Sequence, residues 1–176
     1  MRNVKHVIAG FALAGATALG SSAMAAEEWG IDGEKVARFD AKVVDIVCEL
    51  TGDCPANCGD GKRQLGLLQA DGKLVLPVKN QDIFAGVIQD LLPFCGKTVT
   101  ADGLMITTKH MPVFALQFKR EAPDGKWSRA NWFGKEWSKA NGGQKSGQWF
   151  KSDPRVLKAI KRDGVYGIPG LKPPKE

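Results

Sequence analysis

The chain has 176 residues, a formal net charge of +6 and a hydrophobic fraction of 43%. Its length suits one domain with a single core, and no apolar segment is long enough to span a bilayer. The basic balance indicates acidic partners, an anionic membrane surface or simple solubility.

Residues 1–25 predict a secretory signal peptide. A basic start at Arg2 and Lys5 is followed by an apolar, alanine-rich segment at 7–19 and then by Ala23-Met24-Ala25, a small-residue cleavage site. We expect cleavage after Ala25 and a soluble protein exported to a bacterial periplasm. The remaining chain, 26–176, carries 23 basic and 19 acidic residues, a net charge of +4.

Four cysteines follow the predicted signal peptide: Cys48, Cys54, Cys58 and Cys95. An even count in an oxidising compartment predicts two disulfide bridges, and three pairings are open. The Cys54-Pro-Ala-Asn-Cys58 segment also allows a copper or zinc site, or a reducible bridge of a thiol-redox protein.

Hydrophobic alternation predicts a first strand at about 39–50, after an N-terminal arm at 26–38. Asp45 and Glu49 fall on the polar face of this strand. Cys48 falls on the inward face, which favours a structural bridge. The inward residues are Val44, Ile46, Cys48 and Leu50.

A hairpin is predicted next, with strands at about 63–69 and 74–79 joined by a tight turn at Asp71-Gly72. Pro77 lacks a backbone N–H, so the later strand should lie at an edge or beside a bulge.

The period then changes from two to 3.6, which predicts a helix beginning near Asp82 and ending at Pro93. Such a helix would carry Cys95 back towards the first strand or its loop. Two more strands are predicted at about 97–108, interrupted by Asp102-Gly103, and at about 113–120. In the last strand, polar Gln117 and Lys119 alternate with apolar Phe114, Leu116 and Phe118.

Three strands, a helix and two strands is the order of an OB-fold, a five-stranded Greek-key barrel. We therefore predict a mainly β fold with α, an OB-like barrel at 39–120 with the helix closing one end. A five-stranded barrel of the SH3 type is the alternative, although such barrels usually lack so long an internal helix.

Residues 39–120 also resemble small secreted bacterial OB-fold proteins. In those proteins the first strand ends near a cysteine and a Cys-x-x-x-Cys segment precedes the second strand. Cys48 and Cys54–Cys58 match this layout, as do the hairpin at Gly72 and the Gly-Lys-Thr-Val segment at 96–99. The resemblance covers about half of the mature chain. It implies a fold and an exported setting, and it implies no enzyme activity.

Residues 121–176 form a Trp-, Lys- and Gly-rich extension with a short repeat, WSRAN at 127–131 and WSKAN at 137–141. Its tryptophans either pack on the barrel or form a docking surface for a partner. They could also stack on sugars or lie at membrane headgroups, whereas the exported setting argues against nucleic acid. The candidate partner-binding residues are Trp127, Trp132, Trp137 and Trp149.

A helix is predicted at about 154–163 within the extension. Asp153 suits its N-cap, Pro154 its first turn and Gly164 its end. A small apolar stripe runs along it at Val156, Leu157 and Ile160.

Catalytic patterns are weak. After the predicted signal peptide the single histidine is His110. A Ser-His-Asp or Cys-His site would have to use it, but it falls in a connection between strands and is expected to be exposed. His110 and Met111 could join Cys54 and Cys58 in a copper site, because thiolate, imidazole and thioether suit Cu(I). We predict a non-enzymatic periplasmic binding or interaction protein without a cofactor. One candidate role for it is that of an accessory subunit in an exported complex. The alternatives are a copper-handling or thiol-redox protein and, more weakly, a carbohydrate-binding module.

Overall fold

A closed, mixed barrel of five strands is built by residues 34–121 in the computed structural model, which describes residues 25–79, 86–107, 111–168, 170–172 and 174. β1 pairs antiparallel with β2 and β4, β2 with β3, and β4 with β5, and a parallel pairing of β3 with β5 closes the barrel. This arrangement is consistent with the predicted OB-like barrel. The strands are β1 (Glu34–Asp45), β2 (Leu65–Leu68), β3 (Leu74–Val78), β4 (Thr98–Thr107) and β5 (Pro112–Glu121).

The first strand differs from its prediction at both ends. β1 begins at Glu34, inside the predicted arm, and ends at Asp45, where helix α1 (Ile46–Thr51) starts. Asp45 is the N-cap of α1, since its Oδ1 accepts the N–H groups of Val47 at 2.8 Å and Cys48 at 3.1 Å. The prediction that Ile46, Cys48 and Leu50 share a strand face with Val44 was therefore wrong.

The predicted hairpin is confirmed, with Gly72 at a φ of 83° in the turn between β2 and β3. Pro77 lies beyond the two residues of β3 that pair with β2 and opposite Phe114 of β5. The missing N–H of Pro77 is tolerated there because the strand changes partner at that point.

Helix α2 (Val87–Leu91) lies between β3 and β4 and runs into a 3-10 turn at Leu92–Phe94. Leu91 is fully buried in the barrel core, so the helix covers one end of the barrel as predicted. Cys95 pairs with Val43 of β1 in an isolated bridge, which confirms that this segment returns to the first strand. Asp82 and the predicted first turn of the helix lie outside the described residues.

The interruption predicted at Asp102-Gly103 is a register shift in the β4–β5 ladder. A side chain at Gly103 would place its Cβ 2.2 Å from the carbonyl oxygen of Ala115, so the strands approach closely here. The main core is formed by residues from every strand of the barrel and from α2: Ala41, Val43, Leu65, Leu67, Val75, Leu91, Val99, Ala101, Phe114 and Leu116.

The extension adds one short strand and two helices to the barrel. β6 (Ser128–Arg129) pairs with β5, α3 (Trp132–Ala140) follows it, and α4 (Pro154–Asp163) comes after a 3-10 turn at Trp149–Lys151. The predicted helix at 154–163 is confirmed with both its ends. Asp153 accepts the N–H groups of Arg155 and Val156, and the N–H of Gly164 donates to the carbonyl of Ile160.

Candidate interaction surface

Both predicted disulfides are present, and they join Cys48 to Cys54 and Cys58 to Cys95. The two cysteines of the Cys-x-x-x-Cys segment therefore belong to different bridges. All four cysteines are bonded, so neither Cys54 nor Cys58 carries a thiol that could ligate copper in this state. Met111 lies just before β5, and His110 is outside the described residues. Among the described residues, no group of three or more His, Cys, Asp or Glu side chains could hold a metal ion.

A buried ionic cluster ties the extension to the barrel. Asp90 of α2 accepts a hydrogen bond from Lys119 of β5 at 3.0 Å and lies 3.4 Å from the Nζ of Lys79, just after β3. Lys79 also donates to the carbonyl of Ala130 at 2.5 Å, and Asp90 receives the N–H of Trp132. One carboxylate thus connects α2, two strands and the start of α3.

Burial makes the ammonium group of Lys79 easier to deprotonate. Its side chain is 7% exposed, and this desolvation lowers its pKa to about 8, although Asp90 opposes the shift. Sequence alternation placed Lys119 and Gln117 on the outer face of β5, yet both are buried. The extension covers Lys119 and the N-terminal arm covers Gln117, which single-strand periodicity does not reveal.

Trp127 fastens the extension to the outside of the barrel. Two guanidinium groups contact its ring, that of Arg38 on β1 at 4.9 Å from the ring centroid and that of Arg120 on β5 at 4.8 Å. Asp102 of β4 forms a salt bridge with Arg38 and holds it in place. Trp127 therefore ties the extension to both β1 and β5.

Trp137 is the centre of the packing within the extension. It is 4% exposed, and its indole N–H donates to Oδ2 of Asp153 at 2.8 Å. Asp153 also pairs with Arg155, and the hydrogen bonds from Arg155 and Trp137 hold the pKa of Asp153 well below its usual range. Trp149 packs edge-on against Phe133, with ring centroids 5.0 Å apart. Of the four candidate tryptophans, Trp132 is the most exposed, at 40%.

The sequence repeat in the extension does not correspond to a structural repeat. Residues 127–131 contain β6 and a bend, whereas 137–141 form the last turn of α3 and its C-cap. Trp127 and Trp137 accordingly have different surroundings, one beside two arginines and the other in a small core.

The end of the extension carries an exposed amphipathic surface, which we call the terminal surface. Helix α4 has no buried residue within it, and its apolar stripe faces solvent at Leu157 and Ile160. The following tail turns back on the helix end, since a Cβ at Gly164 would lie 3.3 Å from the carbonyl oxygen of Ile168. The apolar residues of this surface are each between 37% and 63% exposed: Leu157, Ile160, Val165, Tyr166, Ile168 and Leu171.

Basic side chains form the other face of α4. On α4, Lys158 and Arg162 lie on the side opposite the stripe, and Lys161 borders it. Charge is also divided unevenly between the extension and the rest of the chain after the predicted cleavage site. Residues 121–176 contain twelve Lys and Arg against six Asp and Glu, a net charge of +6, whereas 26–120 contain eleven against thirteen, a net charge of −2.

A second, apolar groove lies on the barrel, with a volume of about 410 Å³. It is formed by α1, β3 and the start of β5, at the β2–β3 face and flanking loops where OB-folds bind oligomeric ligands. Its walls are aliphatic apart from Gln64, and neither a charged nor an aromatic residue lines it. The stacking and phosphate contacts that such ligands require are therefore absent from its described lining.

None of the protein-family models, curated proteins or solved structures compared with the chain matches it. No helix in the described part of the chain is long and apolar enough to cross a membrane.

Proposed function

We propose that the protein is a non-enzymatic, exported interaction protein of the periplasm that binds an anionic membrane surface through the terminal surface. The observation that carries this proposal is the exposed apolar stripe of α4 and the tail, which is combined with a basic opposite face of the same helix. A helix of strong amphipathicity and low overall hydrophobicity, with Lys and Arg on its polar face, is the usual form of an interfacial anchor.

Charge favours a lipid surface as the occupant. Residues 121–176 bear a net charge of +6 and residues 26–120 one of −2, so an anionic surface attracts the side of the molecule that carries the extension and orients it. The lysine stems can lie along the apolar zone while their ammonium groups reach phosphates. The tail residues Tyr166, Ile168 and Leu171 extend the apolar contact beyond the helix.

The firm attachment of the extension supports the same function. The Asp90 cluster and the Trp127 stack fix the extension to the barrel, so membrane binding would hold the barrel at a defined height and orientation. A barrel presented in this way could serve an exported complex as an accessory subunit, and that role stays a prediction.

The alternatives from the sequence have less support. A copper-handling protein needs free thiols at Cys54 and Cys58, and both are bridged. A redox pair of Cys54 with Cys58 is not formed, because the two cysteines belong to different bridges. A carbohydrate-binding module needs exposed aromatic faces, but Trp137 is buried and two guanidinium groups contact the ring of Trp127.

The proposal is tested by co-sedimentation of the mature protein with lipid vesicles. We expect binding to vesicles that contain phosphatidylglycerol, weaker binding as salt is raised, and little binding to phosphatidylcholine alone. Replacing Lys158, Lys161 and Arg162 with Gln should reduce partitioning roughly a hundredfold, at about 1 kcal/mol for each charge.

A matched control replaces three exposed basic residues of the barrel region with Gln: Lys35, Lys62 and Lys73. This variant has the same net charge as the test variant and should bind nearly as well as the wild type. Equal loss in both variants would contradict a specific surface. A folded wild-type protein that binds neither kind of vesicle would overturn the proposal.

A further inference from the structure

The N-terminal arm begins its contact with the barrel at Ala26. The backbone N–H of Ala26 donates to Oδ1 of Asp102 at 3.3 Å, and Ala26 is 8% exposed. The neighbouring Ala25 is exposed. Burial of the arm therefore starts at Ala26, the first residue after the predicted cleavage site.

The next residue is held even more specifically. The N–H of Glu27 donates to Oε1 of Gln117 at 3.0 Å, and Nε2 of Gln117 donates back to the carbonyl of Glu27 at 2.6 Å. Gln117 is itself buried, so its amide is committed to this contact. Such a reciprocal pair fixes the register of the arm and places the nitrogen of Ala26 at Asp102.

Asp102 is a buried carboxylate with a charged partner at only one of its two oxygens. Its side chain is 1% exposed, and its Oδ2 forms a salt bridge with Arg38, whose side chain is 39% exposed. The other oxygen, Oδ1, faces a neutral amide as long as residue 25 is attached. Hydrogen bonds from a charged donor to a carboxylate are roughly twice as strong as those from a neutral one.

We propose that removal of residues 1–25 creates an ammonium group at Ala26 and that this group forms a buried ion pair with Asp102. A membrane-bound signal peptidase would hydrolyse the Ala25–Ala26 peptide bond. Water supplies the hydroxyl to the carbonyl carbon of Ala25 and a proton to the leaving nitrogen of Ala26, and the resulting amine takes up a second proton at neutral pH. Cleavage thus adds a buried ion pair between the new amino terminus and the barrel. The inference rests on the export that forms part of the proposed function.

The placement makes the ion pair specific for one cleavage site. A cut after Ala23 would leave two more residues before Ala26 and keep a neutral amide at Asp102. A cut after Ala26 would remove the donor. The new amino terminus can reach Asp102 without movement of the arm, because the nitrogen already lies at hydrogen-bond distance.

The test uses the exported, processed protein. Intact mass should give a chain that starts at Ala26. Titration of the Ala26 amino group by ¹⁵N NMR should give a pKa above the ordinary range of about 7.7 to 8.0. Asp102→Asn should return that pKa to the ordinary range, whereas Asp40→Asn, a change at an exposed carboxylate of β1, should leave it raised.

A second variant keeps Asp102 and moves the charge. Insertion of one serine between Ala25 and Ala26 leaves the cleavage motif intact and places a neutral amide at Asp102 again. We expect this insertion to lower the Tm in the wild-type background and to have little effect in the Asp102→Asn background. Equal lowering in both backgrounds, an ordinary pKa in the wild type, or a mature chain starting elsewhere would overturn the inference.

The outcomes separate this inference from the proposed function. Asp102→Asn leaves the terminal surface unchanged, so vesicle binding should persist in it. A wild-type protein that has a raised Ala26 pKa but does not bind vesicles would contradict membrane docking and leave the ion pair intact.

Discussion

The indole N–H of Trp137 donates to the carboxylate of Asp153 at 2.8 Å, which links α3 to the N-terminus of α4. Asp153 is also the N-cap of α4 and the partner of Arg155. One buried hydrogen bond therefore sets where the terminal surface lies relative to the rest of the extension.

Replacement of Trp137 by phenylalanine should loosen α4. The ring volume is largely retained, but Asp153 loses a donor that helps keep it ionised in a buried position. We expect faster amide hydrogen exchange in 154–163 with little change in β1–β5. Trp132→Phe is the matched control, because Trp132 is 40% exposed and should change exchange in α4 much less. Equal effects of the two variants would contradict the role of the Trp137 bond.

Trp127 offers a separate test of how the extension is attached. Trp127→Leu keeps an apolar contact but removes the aromatic ring that Arg38 and Arg120 contact, so the free energy of unfolding should fall by about 1–2 kcal/mol. A double-mutant cycle with Arg120→Met measures the coupling directly by urea denaturation. Trp149→Leu, at a tryptophan that stacks on Phe133 instead, should show no coupling to Arg120→Met.

Stability should rise with pH above neutrality because of Lys79. Its pKa is about 8 in the folded protein and 10.5 in the unfolded chain. Between these values the unfolded state binds more protons, so the free energy of unfolding increases as the pH rises, by up to about 3 kcal/mol. Urea denaturation at pH 7, 8, 9 and 10 checks this. The Lys79→Met variant should lack the rise, and the same rise in the variant would exclude Lys79 as its source.

The two disulfides should contribute unequally. The Cys58–Cys95 bridge has a sequence separation of 37 and the Cys48–Cys54 bridge one of 6. The loop-entropy relation gives about 4 kcal/mol for the longer loop and about 2 kcal/mol for the shorter one. Paired alanine substitutions, measured by thermal denaturation, should show a larger fall in Tm for Cys58 and Cys95. The reverse order would contradict this ranking.

Local signals explain which parts of the fold could be predicted from the sequence. The bounds of α4 followed from Asp153, Pro154 and Gly164, because capping depends on neighbours in the chain. The residues at 46–50 were misassigned because alternation alone does not reveal that Asp45 caps a helix. The order of strands and helix along the chain followed from periods and turns over the whole of 39–120, and the OB-like barrel was inferred from that order.

Contacts between distant segments explain what could not be predicted. Arg38, Arg120 and Trp127 come from three separate segments, and nothing in their local sequence marks them as partners. The repeated WSRAN and WSKAN segments adopt different structures because one pairs with β5 and the other continues α3. The stripe at Val156, Leu157 and Ile160 was visible in the sequence, but its exposure depends on the packing of the whole extension.

Hydrogen exchange with and without phosphatidylglycerol vesicles locates the membrane contact. We expect vesicles to slow amide exchange in 154–171 and to leave α1, β3 and the start of β5, which line the apolar groove, unchanged. Protection confined to that groove, or no protection in 154–171 while the protein is bound, would contradict the proposed location.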